Sequence, residues 1–348
     1  MMTNRLQALI NLGHKLSHYK DKSFLDKLPD DLFFEKGHQI IEMAKHYNPW
    51  FLEEQVIFAL QSWANALTAE NLTKWINENG MNEPDQPKKV GLILAGNLPM
   101  VGFHDIISVF ISGHIAQIKL SSQDKHLMPW LIDFIVSENS AFQSQFTYVE
   151  RLTDFDAVIA TGSNNSAHYF DFYFSKVPNI IRRNRHSVAI LTGDESQEEL
   201  ALLGQDIFQY FGLGCRNVTK LYVPENYTFD HFFEAIAPYD ELMVYEKYAS
   251  NYHYNKAVFL MSQDKFLDNG FLTLKEDDHL TSPISTLFYT NYNNIGDLSR
   301  TLELNKDQIQ CVVSKINLPH MIPFGQTQKP NLWDYADDIN TLAFLNNL

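Results

Sequence analysis

The chain has 348 residues, 45% of them apolar and 20% charged, with 42 Asp and Glu against 27 Lys and Arg for a net charge of −15. That apolar share excludes general disorder, and at roughly 150 residues per domain the length suits about two domains, each large enough to fold without staples. The acidic balance argues against nucleic acid as a partner, and the two cysteines, Cys215 and Cys311, make no disulfide framework.

Met1 to Ile10 holds no long apolar run, and Asn11, His14 and Lys15 follow, so nothing there reads as a signal peptide. The first 80 residues read as helices. Asn48-Pro49 is a start signal, because Asn can cap and Pro is tolerated at the first helical position. A further helix runs from Thr68 to Asn79-Gly80. Glu83-Pro-Asp-Gln-Pro-Lys88 is a linker with two prolines and almost nothing apolar. After it the texture changes to short apolar runs. Val90 to Ala95 and Ile115 to Leu120 read as buried strands, separated by a helix from Val101 that ends at Gly113. The longest mostly apolar stretch, Val90 to Phe103, is 14 residues long and broken by Asn97 and Pro99, too short to span a bilayer. A helix over Met128 to Ser137 comes next. The strand Ala157 to Ala160 then feeds the turn Thr161-Gly-Ser-Asn-Asn165 and an aromatic helix.

Val188 to Leu191 is another strand. Ser196 and Glu199 fit a capping box, and that helix continues through Leu200, Leu203, Ile207 and Phe211 to Gly212-Leu-Gly214. Lys220 to Val223 reads as a strand, and so do Ala257 to Met261, Ser285 to Tyr289 and Ile309 to Val313. The tail after Pro330 is acidic and weakly helical. Strands alternating with helices indicate βαβ units, an α/β fold with a parallel sheet, and ligands outside the carboxyl ends of its strands. A soluble, reduced, cytoplasmic protein is expected.

Cys215 lies between a Gly-rich helix end and a strand, with Arg216 beside it and Lys220 five residues on. Positive charge raises the thiolate fraction of a thiol, so Cys215 is a candidate nucleophile. The competing reading is a small packed hydrophobe, and that reading is preferred for Cys311. Asn97 comes after the strand that begins at Val90, where an amide can donate to an oxyanion; an ordinary turn explains it equally. Lys119 ends the next strand, within reach of a ribose or phosphate, or simply solvated. Thr161-Gly162-Ser163 starts a helix whose backbone N–H groups suit a phosphate. There is no GxGxxG after Val90, no P-loop, no HExxH and no CxxC, and the 13 His show no metal-ligand spacing. No metal is expected.

The order of these signals carries more than any one of them. Strand, Asn97-Leu-Pro99, helix, strand with Ile118-Lys119, helix, strand, Thr161-Gly162-Ser163, helix, then Gly212-Leu-Gly-Cys215, and later Ser282-Pro283 and Pro323-Phe324-Gly325, together resemble the aldehyde dehydrogenase superfamily from about Val90 onward. The resemblance implies a Rossmann-type NAD(P)-binding domain over 89–185 and a second α/β catalytic domain over 186–325 that carries the nucleophilic Cys. An N-terminal helical segment, 1–82, would pack on the cofactor domain, and 326–348 would be a tail available for pairing in a homo-oligomer. It also implies that Asn97 and the Cys215 N–H form an oxyanion hole, that Lys119 meets the adenosine ribose, and that Thr161, Gly162 and Ser163 lie by the pyrophosphate. NAD-preferring members often carry a Glu three residues after the lysine. Ser122 stands there, after Ser121, which favours NADPH with NADH still open.

Two departures refine this. Hydrolytic members place a water-activating Glu roughly 34 residues before the Cys, and here that position is Ile181. No Asp or Glu occurs from Phe172 to Gly193. Where the family often reads Glu-x-Phe-Gly-Pro, with its Glu on the nicotinamide ribose, this chain has His279-Leu-Thr-Ser-Pro283; Asp278 or His279 would substitute. The stretch Val90 to Pro99, the Arg182-Arg183 segment and the run Gly214 to Asn217 look most like the LuxC-type fatty acyl-CoA reductases. That implies an acyl-CoA substrate, a thioacyl-enzyme on Cys215, a fatty aldehyde product and an acyl-activating partner protein. Tyr169 to Phe174 and Phe208 to Phe211 would line an acyl tunnel or simply pack in the core. Arg182, Arg183 and Arg185 would meet phosphates or form a solvated edge. A reductase of another activated acyl group, and a weakly active cofactor-binding scaffold, are the alternatives.

Overall fold

The computed structural model describes residues 2–20, 31–316 and 321–348. They divide into two compact units: residues up to Arg183 together with Pro330–Leu348, and Asn184–Lys329.

The first unit opens with helices α1 (Met2–Leu16), α2 (Leu32–Tyr47), α3 (Glu53–Ala66) and α4 (Ala69–Glu78). Caps set their ends: the Asp31 carboxylate accepts the Phe33 N–H and the Thr68 hydroxyl accepts the Asn71 N–H. Asn48-Pro49 does not start a helix. Asn48 comes directly after the last residue of α2, its N–H donates to Ala44 O at 2.9 Å, and α3 begins only at Glu53. Its side chain instead accepts the Trp50 N–H at 3.1 Å, the local turn that competes with helical capping.

The sheet of this unit is built from β1 (Lys89–Ile93), α5 (Phe103–Ser112), β2 (Ile115–Lys119), α6 (Leu127–Glu138), β3 (Phe146–Tyr148), β4 (Ala157–Thr161), α7 (Asn164–Phe174) and β5 (Asn179–Arg182). The strand order is β3-β2-β1-β4-β5 and every pair is parallel. α5 ends at Gly113, whose φ of +86° suits glycine and where a Cβ would press on Pro84 at 2.8 Å.

The second unit contains β6 (His186–Ile190), α8 (Gln197–Phe208), β7 (Val218–Pro224), α9 (Asp230–Ile236), α10 (Glu246–Met261), β8 (Phe266–Asp268), β9 (Thr273–Glu276), β10 (Thr286–Tyr292), α11 (Ile295–Leu304), β11 (Ile309–Val313) and β12 (Met321–Ile322). Its strand order is β12-β11-β6-β7-β10-β9-β8, with β8 antiparallel to β9 and the other pairs parallel. The capping box predicted at Ser196 and Glu199 is present. Ala257 to Met261 is not a strand: it is the last part of α10. That helix buries Tyr248, Tyr252, Asn255 and Phe259, a helical spacing, and leaves Leu260 and Met261 exposed. α8 also stops earlier than expected, at Phe208.

Pro330–Leu348 belongs to the first unit, where helix α12 (Thr341–Asn346) packs on α5. Trp75 Nε1 donates to Tyr335 Oη at 2.8 Å, and His114 Nε2 meets Leu345 O at 3.0 Å while its Nδ1 accepts the Lys88 N–H. Burial pushes the His114 pKa down, which keeps Nδ1 free to accept. Leu342 and Leu345 are buried, so the tail expected to serve in pairing is anchored on its own chain.

Candidate functional site

The expected cofactor residues of the first unit converge on one sheet edge. β1 lies between β2 and β4, with Ile93 level with both Lys119 and Ala160. The carboxyl ends of these three strands therefore lie side by side, and they lead into Asn97, into Ser121-Ser122 and into Thr161-Gly162-Ser163. The chain passes from β1 to β2 on one side and returns to β4 on the other. That makes the ends of β1 and β4 the switch point where α/β sheets bind ligands. Asn97 and Ser122 are exposed, and Lys119, Ser121 and Thr161 are half-buried. A Cβ at Gly96 would collide with the Ser121 hydroxyl, so the backbone passes that side chain closely. Ser163 caps α7, its hydroxyl accepting the Ser166 N–H at 3.3 Å.

Two buried side chains outside the predicted set hold the Asn97 loop. Asn48 Nδ2 donates to Gly96 O at 3.2 Å. Asp124, 4% exposed, accepts the N–H of Met100 at 3.0 Å and that of Leu127. Met100 has a φ of +56°, a conformation that costs a non-glycine residue energy and persists only where the surroundings impose it. Nothing in the sequence around Asp124 marks it, and the cap chemistry of Asn48 points to a helix start rather than to this loop.

Burial raises the Asp124 pKa to about 6, against the two backbone N–H bonds that lower it. A carboxyl whose folded pKa lies above its unfolded value stabilises the fold most in its protonated form. Its contribution is full below about pH 4 and is lost as pH rises through 6, a swing of about 3 kcal/mol at most. Urea unfolding at pH 7 and pH 4 should therefore show wild type gaining on Asp124→Asn toward the lower pH. A difference that stays constant would contradict the raised pKa.

The three arginines do not form a phosphate cluster. Arg182, 6% exposed, pairs with the buried Asp105 carboxylate, and its Nη2 donates to Thr341 Oγ1 at 2.9 Å. Arg183 Nη2 lies 2.6 Å from Asp171 Oδ2 at the surface. In the second unit, Arg185 Nη1 donates to Ile309 O at 3.3 Å. The two aromatic segments differ in their surroundings. On α7, Tyr169, Phe172 and Tyr173 are exposed, while Phe170 and Phe174 pack on each other. Phe208 and Phe211 are buried against Tyr239, Tyr245 and Tyr248, beside a small cavity of about 20 Å³, room for about one water.

Cys215 lies in a tightly built turn of the second unit. Tyr210 and Phe211 adopt φ of 53° and 59°, which ends α8 early and turns the chain. Asn217, fully buried, braces the cysteine turn against the helix end. Its Oδ1 accepts the Gly214 N–H at 2.8 Å, and its Nδ2 donates to the Asp206, Ile207 and Gln209 carbonyls that the helix end leaves unsatisfied. Ser187 Oγ donates to Cys215 O at 3.0 Å. The Cys215 residue itself is exposed, whereas Cys311 is buried. Asp206 continues the scaffold, accepting the N–H groups of Gly325 and Thr327, so the Pro323-Phe324-Gly325 motif is tied to the same helix end. Burial raises the Asp206 pKa against these bonds. The flanking cations have other contacts: Arg216 Nη1 lies 3.3 Å from Cys311 Sγ, and Lys220 is fully buried inside the sheet.

His279 lies just past β9 and is exposed, its Nδ1 lying 2.6 Å from Asp277 Oδ1. Partial burial alone would raise the Asp277 pKa, but bonds from His279 and Lys275 bring it down to about 2, so the carboxylate is ionised. Among the described residues no His, Cys, Asp and Glu group is arranged for a metal, and no helix is long and apolar enough to cross a membrane. The donor set at the first unit's sheet edge is one ammonium, several hydroxyls and backbone N–H groups, with no carboxylate at Ser121 or Ser122. That set fits a dinucleotide's ribose and phosphates.

No family model matches the chain, and no curated protein does. Solved structures do. The chain is similar to an NAD-dependent aldehyde dehydrogenase from Sinorhizobium meliloti at a TM-score of 0.63 and 12% identity, covering 94% of this chain and 72% of that one. Against the glyceraldehyde-3-phosphate dehydrogenase GapN of Methanocaldococcus jannaschii, solved with NADP, the TM-score is 0.61 at 12% identity, over 92% and 77% of the two chains. Aldehyde dehydrogenase 21 of Physcomitrella patens, solved with succinate, gives 0.58 at 12%, over 90% and 77%. By these similarities the chain has the aldehyde dehydrogenase fold.

Proposed function

We propose that this protein is an acyl-CoA reductase that makes an aldehyde from an acyl-CoA thioester with NADPH. The observation that carries the reading is Cys215: an exposed thiol on a turn that the buried Asn217 holds rigid. The Cys215 thiolate attacks the thioester carbonyl carbon, the new C–S bond forms as the bond to CoA breaks, and CoA leaves as its thiolate. Asn97 and the Cys215 N–H are the donors assigned to the oxyanion; one such donor is worth about 3 kcal/mol. Bound NADPH supplies the hydride for the acyl carbon. Collapse then releases the aldehyde and returns the Cys215 thiolate.

Lys119, Ser121, Ser122, Thr161, Gly162 and Ser163 are assigned to the adenosine ribose and phosphates, and His279 to the nicotinamide ribose. Ser122 in place of an acid accepts a 2′-phosphate without repulsion, which favours NADPH over NADH. The acid-free stretch from Phe172 to Gly193, with Ile181 inside β5, supplies no base to activate water. The acyl-enzyme therefore resists hydrolysis and waits for hydride. A reducing cytoplasm suits this thiol. An acyl-activating partner protein and self-association as a homo-oligomer complete the proposal.

Mixing the protein with acyl-CoA and no NADPH should leave a stable acyl adduct on the Cys215 peptide by mass spectrometry. Absence of an adduct with short through long acyl-CoAs would sink the reading. Free CoA released with the aldehyde separates this activity from reduction of another activated acyl group.

A further inference from the structure

β9 and β10 are parallel neighbours, so residues 277–285 carry the chain from the carboxyl end of one strand back to the amino end of the other. His279 rides on this crossover. Two consecutive side chains of β7 grip it. Thr219 Oγ1 donates to Leu280 O at 2.7 Å, and Lys220 Nζ donates to Asp277 O and to the Thr290 hydroxyl. Consecutive strand residues ordinarily face opposite ways. Here Ser187 of β6 pairs with Val218 and Val188 with Lys220, so Thr219 is the extra residue of a bulge. Bulges re-aim side chains, and this one lets neighbours serve the same segment.

Lys220 is fully buried and Thr219 is 7% exposed. An ammonium in a sheet interior is costly, and its bonds here go to neutral oxygens. Burial brings its pKa down to about 8, against the opposing charges of Asp278, Asp277 and Glu276. What the buried amine achieves is a fixed crossover. Asp277 is held through its carbonyl, and its carboxylate in turn accepts the His279 N–H at 3.0 Å and meets the ring. β7 begins three residues after Cys215, so this strand joins the turn of the thiol to the segment that presents His279.

We propose that Lys220, with Thr219, is a positioning residue for cofactor binding: it latches the crossover so that His279 is presented to the nicotinamide ribose. This rests on the proposed role of His279 at that ribose. Lys220→Met removes the donors at similar length, and Thr219→Val removes one hydroxyl and serves if the first variant does not fold. Three measurements are made on each: amide hydrogen exchange of residues 277–282 without cofactor, the NADPH dissociation constant by fluorescence, and the rate of Cys215 acylation by acyl-CoA. Exchange should accelerate and NADPH should bind about tenfold more weakly, with acylation within about twofold of wild type. Unchanged exchange overturns the latch. Unchanged NADPH affinity, or acylation lost in step with it, overturns the positioning role. A wild type that binds no NADPH overturns the cofactor assignment itself, and is told apart because exchange at 277–282 still responds to Lys220→Met.

Discussion

Cys215→Ala should abolish acyl-CoA-dependent oxidation of NADPH while leaving the fold and the cofactor affinity intact. In the proposed mechanism the sulfur is the atom that accepts the acyl group, so no neighbouring residue replaces it, and the loss should exceed about 10⁴-fold in turnover. The fold should survive because Cys215 is exposed, and the Asn217 side chain holds the turn against the helix end. Initial rates followed at the NADPH absorbance, with NADPH affinity measured by fluorescence, test both halves. Retained turnover removes Cys215 from the chemistry. Retained turnover in Cys311→Ala is expected, since that thiol is buried in β11.

The alternation of strands and helices is legible because each buried strand of a parallel sheet writes a short apolar run, as Val90 to Ala95 and Val188 to Leu191 do. Caps are legible where one residue acts on its own helix, as at Thr68 and Ser196. Context is harder to read. Ala257 to Met261 is apolar enough for a strand, and only the wider spacing Tyr248, Tyr252, Asn255, Phe259 shows the helix. Asn48 carries the same cap chemistry whether it closes one helix or opens the next, and its bond to Gly96 joins residues far apart in the chain.

The candidate site residues, and the buried groups that support them, divide in the same way. Asn97, Lys119 and Thr161 can be found because they come at strand ends, and strand ends are where α/β sheets bind ligands. Asp124, Asp206 and Lys220 cannot, because their work is done through carbonyls and N–H groups supplied by distant segments. No spacing in the sequence records such a partner. Arg182 shows the opposite error: adjacent basic residues suggest a phosphate site, while the tertiary structure gives each arginine a separate partner within its own unit.

Arg182 carries the largest stability effect expected in the first unit. Its guanidinium joins β5 to Asp105 of α5 and to Thr341 of α12, and all three residues are buried. Arg182→Met strands the Asp105 carboxylate in a dry interior, which should cost about 3–5 kcal/mol, far more than losing a surface pair. Urea unfolding should show the loss. Adding Asp105→Leu to Arg182→Met should recover most of it, because an apolar pair needs no compensating charge. A phosphate-binding Arg182 predicts the reverse pattern: Arg182→Met would weaken NADPH or acyl-CoA binding at little cost in stability, and Asp105→Leu would restore nothing. The double variant therefore decides whether this arginine holds the unit together or holds a ligand.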